Sequence, residues 1–298
     1  MTVAAQIPVV RVERLTFSYD GSTDVLHELT VTLTPGDFLV VLGANGAGKS
    51  TLCYLLSGII PHIYAGRRRG AVLVDGLDPW EHPMYAIAGH AGIVLQDPET
   101  QLFMPNLEME LGFGPANLGV PREEIRQRTE RFLHLVGLDG FQRRSSKALS
   151  GGQKQRAALA SVLTMLPRVL VLDEPTSQLD PVGSQEVVAA LRNLARSRET
   201  TVVMTTHKVD EVVGIATHCL VLREGHAVRQ GAFEEVVQDV DTLEEAGVQA
   251  PASYRVRRLL GRAAGEARLA GAATVTETAW VGDTATVTDT PRPGTADA

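Results

Sequence analysis

Apolar positions fall in short blocks over the first third of the chain. Val9–Phe17 and Val25–Leu33 are rich in β-branched and aromatic residues, and the turn-forming triplet Asp20-Gly21-Ser22 lies between them. They predict a pair of antiparallel strands. Phe38–Leu42 is wholly apolar and is followed at once by glycines and then by Thr51–Ser57, which predicts strand, loop and helix. Ala71–Val74 and Gly92–Leu95 predict further short strands. Arg122–Val136, introduced by Pro121, repeats Ile125, Phe132, Leu133 and Val136 at helical spacing.

The second half alternates more regularly. Gln153–Leu166 predicts a helix stopped by Pro167, and Val169–Leu172 is the apolar run of a buried parallel strand. Val182–Ala195 predicts another helix and Thr201–Thr206 another buried strand. His218–Arg223 and Ala227–Gln230 flank Glu224-Gly225 as a closing hairpin. Alternating helices and apolar strands predict a doubly wound α/β core, with a helical insertion over about residues 97–150. A helical extension is expected over residues 241–264. From 265 to 298 Thr, Ala, Gly and Pro dominate, which predicts a disordered tail.

Composition narrows the function classes. The chain has 298 residues, 44% of them apolar, enough for a sizeable core, and a net charge of -7. That acidic balance speaks against a broad nucleic-acid footprint. The clusters Arg67-Arg68-Arg69 and Arg255/Arg257/Arg258 read as solvated faces. Met1–Val10 does not have the pattern of a signal peptide, and no run is apolar enough for a membrane span. A function at a membrane therefore needs partner chains. Cys53 and Cys219 each sit in an apolar run outside any CxxC pattern and read as buried, reduced thiols.

Three segments carry chemistry. Gly43-Ala44-Asn45-Gly46-Ala47-Gly48-Lys49-Ser50 matches GxxxxGK[ST], with the strand before it and the helix after it that a phosphate-binding loop requires. Glycines let successive N–H groups turn toward phosphate oxygens, the helix N-terminus favours anions, Lys49 adds charge and the Ser50 hydroxyl can ligate Mg²⁺. The strand at Val169–Leu172 delivers Asp173 and Glu174 at its C-terminal end. There Asp173 would hold a metal and Glu174 would orient or deprotonate water. Leu149-Ser150-Gly151-Gly152-Gln153 precedes a helix and forms a second anion site or an ordinary N-cap. A second anion site in one chain hints at a nucleotide shared between two chains.

In this order the segments resemble the nucleotide-binding subunits of ATP-binding-cassette (ABC) transporters. The resemblance covers about Val9–Gly231 and rests on GANGAGKST, Gln96, LSGGQKQR at Leu149–Arg156, LVLDEPTSQLD at Leu170–Asp180 and His207 after a strand. It implies the P-loop NTPase fold of ABC ATPases over residues 1–240, with an antiparallel β subdomain and a helical insertion subdomain. It implies ATP and Mg²⁺ as ligands and ATP hydrolysis as the activity. Tyr19 would stack on adenine, and residues from Gly43 to Thr51 would hold the phosphates. Gln96 would touch Mg²⁺ and water, and His207 would contact the γ-phosphate. Two subunits would pack head to tail, so that Ser150, Gly151, Gly152 and Gln153 of one cap the nucleotide of the other, with Asp180 communicating across the dimer.

A narrower resemblance is carried by Gln96-Asp97-Pro98-Glu99-Thr100-Gln101-Leu102-Phe103 and by Gly112-Phe113-Gly114-Pro115-Ala116-Asn117-Leu118-Gly119. Both are similar to segments of energy-coupling-factor (ECF) importers. That implies a peripheral ATPase on the cytoplasmic face of the cell membrane, transmembrane partner subunits, and uptake of a vitamin, a vitamin precursor, or a Co or Ni ion. The alternatives are a subunit of another ABC importer or exporter, or a soluble ABC ATPase acting on nucleic acid or ribosomes. The last class usually has two cassettes or a long coiled-coil insertion, and this chain shows neither.

Overall fold

A computed structural model describes residues 7–260. Its strands are β1 (Val10–Ser18), β2 (Leu26–Leu33), β3 (Phe38–Leu42), β4 (Arg67–Val74), β5 (Ala91–Val94), β6 (Val169–Asp173), β7 (Thr201–Thr205), β8 (His218–Arg223) and β9 (His226–Ala232). Its helices are α1 (Lys49–Ser57), α2 (Ile59–His62), α3 (Met84–Ala88), α4 (Leu107–Asn117), α5 (Arg122–Leu135), α6 (Gly151–Leu163), α7 (Pro181–Ser197), α8 (Phe233–Val237) and α9 (Val240–Glu245). The strands form one sheet in the order β4-β1-β2-β9-β8-β3-β7-β6-β5.

The block β8-β3-β7-β6-β5 is parallel, whereas β4-β1-β2 is antiparallel. Every residue of β3, β6 and β7 is buried, as strands covered on both faces must be. Alternation along β3 splits the core in two. Val40 and Leu42 join the cluster built with α4 to α9, while Leu39 and Val41 join the one built with β1, β2, β4 and α1. The polar ends of β3, β6 and β7 are thereby brought side by side at one edge of the sheet.

Several boundaries differ from the sequence expectation. β4 begins at Arg67 rather than Ala71, because β1 continues to Ser18 and pairs it with Arg67. One of the three arginines departs from the expected solvated face: Arg68 is largely buried, pairs with Asp78 at 2.7 Å and lies over Trp80, whereas Arg67 and Arg69 are exposed, Arg69 in a surface ion pair with Asp24 at 2.8 Å. α6 starts at Gly151, where Ser150 caps it, and stops at Leu163, short of Leu166. Between residues 97 and 150 lie α4, α5 and two short 3-10 turns. Cys53 and Cys219 are both buried and unpaired.

The described residues up to Tyr254 form one compact unit, and those from Arg255 belong to a second. Residues 252–260 are helical. The expected tail over 265–298, and residues 261–264 of the expected extension, lie outside the described residues.

Candidate nucleotide site

β3 ends at Leu42 and the chain turns at once through Gly43, Gly46 and Gly48, with φ of 153°, 80° and 96°. Two of these glycines are also close approaches. A Cβ on Gly43 would stand 2.4 Å from the Leu222 carbonyl oxygen, and one on Gly48 2.5 Å from a Leu26 methyl. At Gly46 the space is open and the left-handed backbone alone calls for glycine. α1 then starts at Lys49 with no side-chain cap, which leaves its first amides free to meet an anion. The Lys49 side chain is buried. Its Nζ donates to the carbonyls of Gly43 at 2.8 Å and Ala44 at 3.1 Å, and lies 3.4 Å from Glu174 Oε1. Ala44, Asn45 and Gly46 are exposed, and Ala47 is buried.

β6 delivers the paired carboxylates against this loop. Asp173 Oδ1 accepts from Thr205 Oγ1 at 2.8 Å and from Ser50 Oγ at 3.0 Å. Burial pushes the Asp173 carboxyl above its ordinary value; the hydrogen bonds from Thr205 and Ser50 pull it down, and the neighbouring Glu174 charge pushes it up again. The Lys49 charge also pulls it down. Beside a hydroxyl, its oxygens make a donor set of the kind that suits a hard divalent cation. Among the described residues no group of three or more His, Cys, Asp and Glu side chains could hold a metal. The Ser50 hydroxyl and the Asp173 carboxylate, 3.0 Å apart, would offer a divalent cation two oxygen ligands and leave the rest of its shell to other groups.

Glu174 takes φ of 47°, a left-handed backbone that costs a side-chain-bearing residue about 1 kcal/mol. Its N–H donates to Thr205 Oγ1 at 2.9 Å, which helps hold the residue there. The side chain is mostly buried, 3.4 Å from Lys49 Nζ and 3.6 Å from His207 Nδ1. Strain of this kind is tolerated where the surroundings fix it, and it aims the carboxylate into the gap between loop and histidine.

The other expected residues divide into two groups. Tyr19, half exposed, joins the loop through a 3.1 Å hydrogen bond between its OH and Thr51 Oγ1, and Phe17 meets its ring edge-on at 4.9 Å. Gln96 donates to Ser177 Oγ at 3.1 Å, and Ser177 Oγ donates to the Glu174 carbonyl at 3.0 Å, so Gln96 reaches the carboxylates through their own loop. The second group stays apart. Ser150 Oγ accepts from Gln153 N–H at 3.3 Å and Gln153 Oε1 accepts from Ser150 N–H at 3.1 Å, a closed capping box. Gly152 packs so tightly on α7 that a Cβ would come 2.9 Å from Gly183 Cα. Among the described residues no hydrogen bond joins residues 150–153 to residues 43–50. Asp180 caps α7, accepting from Gly183 N–H at 2.7 Å.

Sequence reasoning missed Thr205 and Glu211. Thr205 serves Asp173 and Glu174 at once. Glu211 accepts from Thr176 Oγ1 at 2.6 Å and Ser184 Oγ at 2.7 Å, and Lys208 Nζ donates to the Thr176 carbonyl at 2.8 Å. These bonds tie the turn after His207 to the loop after Glu174. Thr205→Val keeps the shape and removes the hydroxyl. It is expected to lower ATP turnover about tenfold in a steady-state assay, because two buried polar groups lose a partner, while KM for ATP stays within about twofold.

A parallel sheet that brings a glycine loop, a buried lysine and two carboxylates to one edge defines a P-loop nucleoside triphosphatase. The family model described as ABC transporter matches residues 26–177. A protein of Pyrococcus abyssi, described as an ABC transporter ATP-binding protein, is 40% identical over 249 residues, which is 83% of this chain and 89% of that one. A similarly described protein of Caldanaerobacter subterraneus is 40% identical over 239 residues, but the chain spans only 42% of its length. The energy-coupling factor transporter ATP-binding protein EcfA2 of Clostridium tetani is 36% identical over 84% of this chain and 88% of its own. Among solved structures, CbiO1 of Clostridium perfringens, part of the ABC transporter complex CbiONQ, superposes with a TM-score of 0.71 at 31% identity, covering 84% of this chain and 99% of that one. The chain belongs to the ABC transporter family and is one of its ATP-binding, ATP-hydrolysing members.

Proposed function

We propose that the chain is the ATPase subunit of an ECF-type importer, held on the cytoplasmic face of the cell membrane by transmembrane subunits and paired with a second ATPase subunit. The cargo class is a micronutrient: a vitamin, a vitamin precursor, or a cobalt or nickel ion. The observation that carries this reading is an exposed aromatic pair in the insertion. Phe103 and Phe113 meet edge-on at 5.0 Å, and both are exposed, as are Met109 and Leu118. The buried Glu110 fixes the segment by accepting the N–H groups of Phe103 at 2.9 Å and Met104 at 2.7 Å. Large apolar groups held rigidly in water suit a protein or membrane contact. Phe103, Phe113 and Leu118 lie in the two segments that resemble ECF importers, and the likeness to EcfA2 supports the same reading. No helix among the described residues is long and apolar enough to cross a membrane, so other chains would supply the spanning part.

In the proposed cycle Tyr19 stacks on adenine, while Lys49 and the amides of residues 43–51 hold the phosphates. Ser50, Asp173 and Gln96 would hold Mg²⁺, which when bound would supply positive charge to the terminal phosphate oxygens. Glu174 orients the attacking water and takes its proton, and His207 steadies the γ-phosphate. Residues 150–153 of the second subunit close the site, and Asp180 passes its state across the pair. The separation of residues 150–153 from residues 43–50 within one chain supports a site shared between two subunits.

The test is purification of the tagged chain from its native membranes. A small polytopic membrane protein is expected to accompany it; its absence would overturn the importer reading. In the doubly substituted Phe103→Asp, Phe113→Asp chain, recovery of that partner should fall at least about tenfold, since charge replaces apolar contact. ATPase activity of the isolated variant should remain within about twofold. Full recovery of the partner would place the contact elsewhere.

A further inference from the structure

The segment after α9 touches the nucleotide site at two points. The Ala44 N–H, in the glycine loop, donates to the Ala246 carbonyl at 3.1 Å. Gly247 follows with φ of +71°, and a Cβ there would stand 3.0 Å from Ala44 Cβ. Ala44 is therefore gripped from both sides: its amide by Ala246 and its carbonyl by Lys49 Nζ at 3.1 Å. Five residues further on, the Ala252 N–H donates to Asp210 Oδ1 at 3.2 Å. Asp210 belongs to the turn after His207, which Lys208 and Glu211 tie to the loop after Glu174. Between these anchors Val248 and Ala250 are buried, and so are Leu243 and Ala246 before them.

We propose that residues 246–252 are a strap that sets the glycine loop relative to the His207 turn, with Gly247 as its positioning residue. The physical reason is economy of motion. The phosphate loop is held by short backbone bonds, and moving Ala44 displaces the carbonyl to which Lys49 is bonded. A strap packed in the core and bonded at both ends limits how far loop and turn can separate. Glycine at 247 serves twice, since it adopts the left-handed backbone freely and leaves Ala44 in place. Any side chain there brings strain and pressure onto the loop together.

The inference rests on the chain binding ATP at residues 43–50, and the experiment separates the two. Gly247→Ala in the full chain is expected to raise KM for ATP about tenfold, with kcat within about threefold. A merely structural glycine would lower the melting temperature and leave KM unchanged in the folded fraction, and that result overturns the strap. The paired measurement is hydrogen exchange of the loop amides in Asp210→Ala, which frees the far anchor. Exchange over residues 43–50 should quicken several-fold and ATP affinity should fall with it. Unchanged exchange and affinity in Asp210→Ala would also overturn the proposal, even if Gly247→Ala did not fold. If the unsubstituted chain bound no ATP, the nucleotide reading would fail first.

Discussion

Glu174→Gln is expected to abolish turnover while leaving ATP bound. The amide has nearly the shape of the carboxylate and sits on the same strained backbone, φ 47°, with the same Thr205 support behind it. What is lost is the capacity to take a proton from water, a contribution of about 100- to 10,000-fold in rate. What is also lost is a negative charge 3.4 Å from Lys49, next to where phosphate oxygens would gather. Removing that charge leaves Lys49 more fully available to the phosphates. ATP affinity should therefore hold or improve, and with hydrolysis blocked the closed pair of subunits should accumulate. Phosphate release reads the first effect and light scattering with ATP the second. Turnover within a few-fold of the unsubstituted chain would remove Glu174 from its assigned role.

What the chain reveals of its fold it reveals for a physical reason. Phe38–Leu42 and Val169–Leu172 could be read because a strand buried on both faces must be apolar throughout, and the loop at residues 43–50 because phosphate binding constrains eight consecutive positions. Such constraints are local. Thr205 and Glu211 escaped because their importance lies in hydrogen bonds to residues about thirty positions away, and nothing near them in sequence marks it. Arg68 of β4 escaped for a similar reason, while Arg67 and Arg69 do form the solvated face the sequence predicts. The partner of Arg68, Asp78, meets it because β4 extends back to Arg67 along β1, which periodicity within Ala71–Val74 does not reveal. The strap was equally hidden, since its link to Ala44 passes through backbone atoms that carry no side-chain signal.

The same contrast bears on residues 150–153, where the sequence left an anion site and an ordinary N-cap both open. The structure shows that the cap is real: Ser150 and Gln153 satisfy each other's backbone amides. A cap does not exclude a second role, because the helix dipole and the remaining amides of the first turn still face outward.

Gly151→Asp separates the two roles by sign. Gly151 is the first residue of α6, and its Cβ position lies 3.7 Å from a Leu179 methyl, an ordinary contact distance. A side chain therefore fits without displacing the core, in contrast to Gly152, where a Cβ would strike Gly183 at 2.9 Å. An aspartate in the first turn opposes the positive end of the helix dipole and replaces a helix-weakening glycine, so stability should hold or rise by about 0.5–1 kcal/mol. If residues 150–153 act only as a cap, ATPase activity is untouched or slightly raised. If they close over the γ-phosphate of a second subunit, the added carboxylate meets the triphosphate in a poorly solvated gap. Turnover should then fall by about 100-fold or more, since like charges at close range cost several kcal/mol there. Binding of ATP to the single subunit should stay within about twofold, because residues 43–50 are unaltered. The informative outcome is a stable, nucleotide-binding, inactive chain whose activity returns on mixing with a Lys49→Ala chain. Each mixed pair then holds one site with an intact loop and an intact cap, which only a site shared between subunits can provide.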